Sequence, residues 1–188
     1  MRIQEMNLKF KEKLRESGLS KEMKSLESCD FFSIEEENNL VVGAAGLGGL
    51  FHVSGIQILE KWRGKGLGRK LQSGLINEAK KRNYSFLTVF NDPRNIASEK
   101  MHNSLGYETV FRIHYSKDIV NDVKILVFKK RGMIVKKSLR IFNSKIGMLI
   151  LGILIKYSRK LFPSMILYSE ENIPEPSIMN MITKFEKI

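Results

Sequence analysis

The sequence predicts a fold of the α+β class, in which short strands are combined with a small number of helices. Apolar residues recur at close to helical spacing between Met6 and Leu26, and a second helical segment covers residues 69–81. Residues 29–34, 40–47 and 86–90 are short apolar runs of the kind that forms strands. At 188 residues the chain is long enough for one domain with a full core.

The bulk composition narrows the class of protein. The single cysteine, Cys29, cannot form an internal disulfide and has no neighbouring cluster of cysteine and histidine, which argues against a structural zinc site. We therefore expect no metal ion. The charged N-terminal segment does not resemble a signal sequence, so the predicted location is cytoplasmic. The formal charge of +12 suits a polyanionic ligand.

Turn residues separate the predicted elements. Ser17-Gly18 divides the first helical segment, and Ser20 is a candidate N-cap for its second half. The acidic stretch from Glu35 to Asn39 is predicted to be a turn between two strands. A further strand is expected over residues 50–59, and residues 107–115 and 123–128 are predicted to form a hairpin around Lys117-Asp118.

The glycine-rich stretch from Arg63 to Gly68 lies between a predicted strand and a predicted helix. Such a turn leaves backbone N–H groups unpaired, and the helix dipole adds positive charge there. The formal cations around it are Arg63, Lys65, Arg69 and Lys70. This arrangement predicts a site for a phosphate or a pyrophosphate. The alternative is a solvated turn without a ligand.

The spacing of the glycines excludes two familiar phosphate sites. A P-loop needs Ser or Thr after its Gly-Lys pair, and a dinucleotide-binding turn needs Gly-x-Gly-x-x-Gly followed by an acidic residue about twenty positions later. The chain has neither pattern in this stretch. Its Arg-x-x-Gly-x-Gly sequence instead resembles the coenzyme A loop of the GCN5-related N-acetyltransferases (GNAT superfamily).

A second segment carries the same resemblance. In the order of the family motif, the matching positions are Asn95, Ser98, Met101, His102 and Gly106-Tyr107. Both motifs occur in the family order, and the similarity covers roughly residues 40–130. It implies a central mixed, mostly antiparallel sheet that splays in the middle and is flanked by helices. The family also opens with a β-strand, which only residues 1–4 could supply here, so we expect that strand to be missing or rudimentary.

The resemblance also implies an activity: transfer of an acetyl group from acetyl-CoA to a primary amine by direct nucleophilic attack. The acceptor would be a protein N-terminus, a lysine or a small molecule. By resemblance, main-chain groups near Ile58 and Leu59 pair with the pantetheine arm, and Asn95 and Ser98 contact the cofactor. Asn95 could equally be a plain helix N-cap. The residues implied to hold the pyrophosphate are Arg63, Gly64, Lys65, Gly66, Leu67, Gly68 and Arg69, with Lys70 beside them.

Two histidines are candidates for proton transfer. His102 stands where the family commonly has a tyrosine that acts as general acid. Imidazole is mostly neutral at pH 7. It could therefore protonate a thiolate only if it were partly charged or acted through water. The alternative is a helix-surface histidine without a chemical role. His52 is predicted to lie on the strand before the loop, on the same face as Ser54, and is a weaker candidate for the base.

The chain beyond the resemblance differs in composition, which divides it into an acetyltransferase domain (residues 1–131) and a basic, apolar helical extension (residues 132–188). No acidic residue occurs between Lys129 and Pro163. The apolar run from Ile146 to Ile155 spans only ~15 Å as a helix, about half a bilayer core. Apolar side chains on almost every face favour burial against the domain or in a homodimer; an anionic membrane surface and RNA are the alternatives.

Two other functions are compatible with the sequence. The protein could be a non-catalytic module that binds acyl-CoA and docks to a partner or membrane through its extension. It could also be a basic protein associated with nucleic acid that no longer binds the cofactor.

Overall fold

The computed structural model describes residues 1–19, 29–49, 51–116, 118–161 and 177–188. For residues 158–161 it describes the backbone only. The predictions for Ser20 and Lys117 therefore fall outside the described residues. The described chain forms two compact units, Met1–Tyr84 and the part that begins at Ser85. Each unit contains antiparallel strands and helices, so the α+β class is confirmed.

The described residues of the first unit form four strands and two helices. In chain order these are β1 (Arg2–Glu5), α1 (Leu8–Glu16), β2 (Cys29–Glu37), β3 (Leu40–Gly48), β4 (Val53–Ile58) and α2 (Leu67–Lys81), with a 3₁₀ turn at Glu60–Trp62. The four strands pair antiparallel in the order β1-β2-β3-β4. Phe32, Ile34 and Ala44 are fully buried and cluster with Phe10 and Leu14 of α1.

A paired N-terminal strand is present, contrary to the sequence-based expectation. All four residues of β1 pair with β2, from Arg2 opposite Ile34 to Glu5 opposite Phe31. The terminal ammonium of Met1 also lies 2.8 Å from Glu35. Four residues carry a weak strand pattern by themselves, and this strand is stabilised by pairing with a distant segment.

The acidic stretch is part of a strand and not a turn. β2 continues to Glu37, which pairs with Leu40, and only Asn38 and Asn39 form the turn. Both asparagines have positive φ, 49° and 64°, as a tight hairpin between right-twisted strands requires. Asparagine tolerates this conformation better than most residues, so the pair of asparagines carries the turn signal.

The second unit contains the remaining elements: β5 (Phe86–Asn91), α3 (Ile96–Ser104), β6 (Glu108–His114), β7 (Val120–Val127), α4 (Lys130–Leu139), α5 (Lys145–Leu161) and α6 (Ile178–Thr183). A 3₁₀ turn covers Arg140–Phe142. β7 pairs antiparallel with β5 on one side and with β6 on the other, which confirms the predicted hairpin.

The extension begins with α4, which packs on β6 and β7 within the second unit. The two compact units divide after Tyr84, whereas a domain boundary near Arg131 remains a sequence-based prediction. α5 begins at Lys145, and the Ser144 hydroxyl caps it by accepting a hydrogen bond from the N–H of Gly147 at 3.0 Å.

Burial of α5 is one-sided, which differs from the expected burial on all faces. Met148 and Ile155 are buried, whereas Ile146, Ile150 and Leu154 are about half exposed or more. Within the described ranges, no single helix is long and apolar enough to cross a membrane; the segments Lys130–Phe142 and Lys145–Tyr157 reach the required length only together and meet at a bend of 102°.

Candidate functional site: a phosphate-binding loop and a buried polar cluster

The loop that follows β4 is anchored at its start by main-chain hydrogen bonds. The N–H of Leu59 donates to the carbonyl of Val42 on β3 at 3.0 Å. The guanidinium Nε of Arg63 then turns back and donates to the carbonyl of Ile58 at 3.1 Å. The chain therefore leaves the strand at a fixed place, and the Arg63 side chain stabilises the exit from the strand.

Two glycines give the loop its shape. Gly64 and Gly66 have φ values of 74° and 77°, in the left-handed region that only glycine adopts without strain. A Cβ atom at either position would meet no neighbouring atom within 4 Å, so the backbone conformation, and not crowding, requires glycine there. Left-handed residues alternating with others turn successive N–H groups to one side of a loop.

The N-terminus of α2 is open toward solvent. Gly66 is the N-cap residue and provides no side-chain cap, while its carbonyl accepts the N–H of Lys70 at 3.2 Å. Helix geometry leaves the N–H groups of Leu67, Gly68 and Arg69 without intrahelical acceptors. Together with the helix dipole, these donors would suit an anion.

α2 is held firmly in the first unit. Leu67 and Leu71 are buried, and their side chains lie 3.2 and 3.0 Å from the position that a Cβ of Gly43 would occupy. The absence of a side chain at Gly43 in β3 therefore lets α2 approach the sheet. The open helix N-terminus is thus attached to a rigid support.

The cations of the loop differ in their availability. Lys65 lies over the ring of Trp62 at 5.0 Å, and Lys65 and Arg69 are exposed. Lys70, in contrast, donates to Glu35 at 2.9 Å. Hydrogen bonds from the terminal ammonium and from Lys70 hold the pKa of Glu35 below its usual value. The charge of Lys70 is therefore partly neutralised by a carboxylate.

In the second unit, the predicted cofactor segment forms α3. Asn95 is its N-cap, and its side-chain oxygen accepts the N–H of Ser98 at 3.1 Å, which confirms the capping interpretation. The Ser98 hydroxyl lies 3.3 Å from Nδ1 of His102, one turn further along the helix. Asn95, Ser98 and His102 thus follow one another along α3.

His102 is buried, so the interpretation as a helix-surface residue is wrong. The residue is only 6 % exposed, and its ring packs edge-on against Tyr107 with the ring centres 5.3 Å apart. Burial and, second, the positive charge of Lys124 lower the pKa of His102 from 6.5 to about 4. The imidazole is therefore neutral at pH 7.

A buried polar cluster beneath α3 was not predicted from the sequence. Lys124 on β7 is 1 % exposed, and its ammonium donates to Glu99 at 2.5 Å and to Asn103 at 2.6 Å. Asn91 at the end of β5 donates to the other Glu99 oxygen at 2.7 Å. Burial raises the pKa of Glu99, but the hydrogen bonds from Lys124 and Asn103 lower it overall. One signal was available: Lys124 interrupts the apolar run Val123–Val127 at a position where a strand side chain is buried.

His52 is placed differently from the prediction. It lies in the turn before β4, with a φ of 49°, and does not continue the strand face that contains Ser54. Its ring packs edge-on against Tyr84 with the centres 4.6 Å apart. The tight turn interrupts the two-residue periodicity on which the prediction depended. Ser54 instead accepts a hydrogen bond from the amide of Gln72 on α2 at 2.9 Å.

Among the residues that the structure describes, no group of three or more histidine, cysteine, aspartate or glutamate side chains is arranged to hold a metal ion.

Residues 3–123 match the family model described as the acetyltransferase (GNAT) domain. The chain therefore belongs to the GNAT acetyltransferase family. The superfamily resemblance seen in the two sequence motifs is confirmed.

A curated relative is similar to this chain over only part of its length. The L-methionine sulfoximine/L-methionine sulfone acetyltransferase of Salmonella typhimurium is 34% identical over 82 residues, which cover 39% of this chain and 48% of that protein. The chain thus spans about half the length of this curated relative.

Two solved structures show the same fold. The ribosomal-protein-S18-alanine N-acetyltransferase of Escherichia coli has a TM-score of 0.52 and 19% identity, covering 66% of this chain and 90% of that one. A GNAT family acetyltransferase of Elizabethkingia anophelis with acetyl-CoA bound has a TM-score of 0.51 and 16% identity, with 68% and 97% covered. At this identity, both similarities bear on the fold alone.

Proposed function

We propose that this protein is an N-acetyltransferase that transfers an acetyl group from acetyl-CoA to a primary amine. The observation that carries the proposal is the loop of residues 63–69, which matches the family motif and presents main-chain N–H groups at an open helix N-terminus. A diphosphate fits this loop because both of its charges meet donors, and because the two glycines leave space beside the backbone.

In this proposal the loop residues Arg63 to Arg69 hold the diphosphate of the cofactor, with Lys65 and Arg69 adding mobile positive charge. The pantetheine arm would lie against the main chain at Ile58, because the N–H of Leu59 already donates to Val42 and its carbonyl accepts from Trp62. Bound acetyl-CoA supplies the activated acyl group. The protein must also orient an amine toward the thioester, remove a proton from that amine and allow the leaving thiolate to gain one.

His102 is proposed to influence the departure of the thiol. Its pKa of about 4 leaves the imidazole neutral at pH 7, without an acidic proton to give. We therefore propose that it orients a water molecule, through which the proton released by the attacking amine would reach the leaving sulfur. The contact with Ser98 fixes the orientation of the imidazole. For His52 the proposed role as base is weaker, because the side chain is packed against Tyr84.

For His102, turnover and cofactor affinity should respond differently to substitution. His102→Ala is expected to lower kcat at least tenfold while coenzyme A affinity changes less than threefold. Ser98→Ala, which removes the hydroxyl beside the imidazole, should produce an intermediate loss. Unchanged kcat in His102→Ala would remove the residue from the mechanism.

The acceptor can be tested directly by measuring release of free thiol from acetyl-CoA with a panel of amines. L-methionine sulfoximine is the first choice, because the 34% identical relative is named for it, and a peptide with an N-terminal alanine is the second. Acetylation of any primary amine, confirmed by a mass increase of the acceptor, supports the proposal. Coenzyme A binding without turnover on the whole panel would instead favour the non-catalytic acyl-CoA-binding module.

A further inference from the structure

The outer face of α5 is a continuous apolar stripe. Six side chains that are 40–75 % exposed share it: Ile146, Leu149, Ile150, Ile153, Leu154 and Tyr157. Their spacing of three and four residues places them within about 140° of the helix circumference, at about 100° per residue. A surface helix of a soluble domain normally has polar residues on its solvent-facing side, whereas α5 has apolar residues there.

The opposite face of the same helix is already in use. Met148 and Ile155 are buried. Gly152 lies so close to α6 that a Cβ there would be 3.0 Å from Ile178 and 3.3 Å from Met181. Packing within the second unit therefore fixes α5 by its inner face and directs the stripe outward.

The chain segment that contains the stripe carries a large excess of cations. Between Lys129 and Tyr157 the chain has eight basic residues and no acidic one. Lys145 and Lys156 are exposed and lie at one border of the stripe on the helical wheel. In α4 and the 3₁₀ turn after it, the exposed cations are Lys130, Arg131, Lys137 and Arg140.

We propose that α5 docks this protein on an anionic lipid surface, lying in the plane of the headgroups with the stripe inserted. Apolar side chains reach the acyl boundary while the flanking lysines meet lipid phosphates, a combination that fits a bilayer interface. The helix from Lys145 to Tyr157 is ~20 Å long and meets the preceding helical segment at 102°, which suits a surface position.

Charge argues against two other candidate partners for the stripe, a second copy of the chain and RNA. A symmetric contact between two copies would bring the excess cations of both extensions together, because Glu108 already pairs with Lys136 and Arg140 within each copy. RNA would neutralise the cations but would leave six aliphatic and aromatic side chains against a polyanion, and only Tyr157 could stack on a base. An anionic bilayer satisfies both the apolar and the basic side chains.

The test is cosedimentation of the full-length protein with vesicles of phosphatidylcholine alone and with 30 mol% phosphatidylglycerol. We expect pelleting only with the anionic vesicles, weakened as salt increases. The double variant Ile150→Ser/Leu154→Ser should reduce the apparent affinity at least tenfold, because two inserted aliphatic side chains are lost. The double variant Lys145→Gln/Lys156→Gln should reduce it several-fold, because two cations near the lipid phosphates are lost.

A matched control removes two exposed apolar side chains elsewhere. Leu8 on α1 and Met179 on α6 are 81 % and 68 % exposed, so Leu8→Ser/Met179→Ser should pellet like the wild type. Equal pelleting by the stripe variant and the wild type would overturn the proposal, as would the absence of pelleting with anionic vesicles. A dimer in sedimentation equilibrium, or binding to single-stranded RNA, that the stripe variant abolishes would assign the stripe to that partner instead.

A label placed on the stripe provides a local readout. Cys29 is 4 % exposed, and burial followed by the charge of Asp30 raises its pKa to about 12, so it should not react with a thiol probe at neutral pH. An environment-sensitive fluorophore on Ile150→Cys should shift to the blue with anionic vesicles, whereas the same fluorophore on Leu8→Cys should not. Equal shifts at both positions would contradict insertion through the stripe. This result is independent of acetyl transfer, so it can fail while the proposed activity stands.

Discussion

The loop at the start of α2 and the cluster beneath α3 are built in opposite ways. The loop is exposed and uses main-chain N–H groups arranged by Gly64 and Gly66. The cluster is buried and uses side chains, with Lys124 and Glu99 at its centre. The comparison teaches that the loop depends on backbone conformation and the cluster on charge pairing, so different substitutions should disable them.

The largest effect on stability is expected in the cluster. Glu99→Gln removes the counter-charge of an ammonium that is 1 % exposed, and an unpaired buried charge costs about 3 kcal/mol or more. Glu5→Gln is the matched control, because Glu5 forms an exposed ion pair with Arg82 and should lose less than about 1 kcal/mol. Urea unfolding of both variants measures the difference, and equal losses would contradict the central role of the buried pair.

The stability of the second unit should depend on pH by a comparable amount. The pKa of His102 is lowered to about 4 in the folded protein, so between pH 6.5 and 4 the unfolded chain binds the proton more readily. Stability from this group is fully present above pH 6.5 and is lost as the pH falls to about 4, by about 3 kcal/mol in all. His102→Gln should lack this component, and urea midpoints of both proteins between pH 7 and 4 would show it. Parallel pH curves would mean that His102 is not kept neutral by the fold.

In the loop, the expected loss concerns binding more than stability. Gly66→Ala places a Cβ on a residue with a φ of 77°, which costs about 1 kcal/mol and turns the neighbouring N–H groups away. We expect the Kd for coenzyme A to rise about tenfold, corresponding to about 1.4 kcal/mol.

Gly18 provides the matched control, since it has a φ of 75° and equally open surroundings at the end of α1. Gly18→Ala should lose similar stability and bind coenzyme A as the wild type does. If calorimetric titration finds the same coenzyme A affinity for both variants, the backbone conformation at Gly66 does not determine binding.

The smallest effects should come from the lysine side chains of the loop. Lys65→Gln is expected to weaken coenzyme A binding about threefold to fivefold at low ionic strength, and less in salt. Lys70→Gln should change it about twofold or less, because Glu35 already holds that ammonium at 2.9 Å. A larger loss in Lys70→Gln than in Lys65→Gln would show that the pair with Glu35 opens when the cofactor binds.

The sequence predicted the loop because glycine spacing reports backbone conformation directly. The same is true of Asn95, whose position before a helical segment identified it as a cap. The acidic stretch was misread since the turn depends on Asn38-Asn39, while the neighbouring glutamates are held in β2 by cations distant in sequence. Local patterns thus predicted local structure.

Features that depend on tertiary contacts were missed for a physical reason. The cluster draws its members from β5, α3 and β7, and only the fold brings Asn91, Glu99 and Lys124 together. Nor could the periodicity of α5 reveal which of its apolar faces is covered, because Met148 and Ile150 are equally apolar in sequence. The packing of Gly152 against α6 decides that question.

The central claim is that main-chain amides of the loop bind a diphosphate, and amide NMR tests it most directly. With ¹⁵N-labelled protein, the account predicts that saturating coenzyme A moves the N–H resonances of residues 65–69 downfield. ADP, which carries a diphosphate, should move the same resonances, whereas pantetheine should leave them in place. If coenzyme A binds and these five amides do not respond, the loop is not the diphosphate site, and the account is wrong at its foundation.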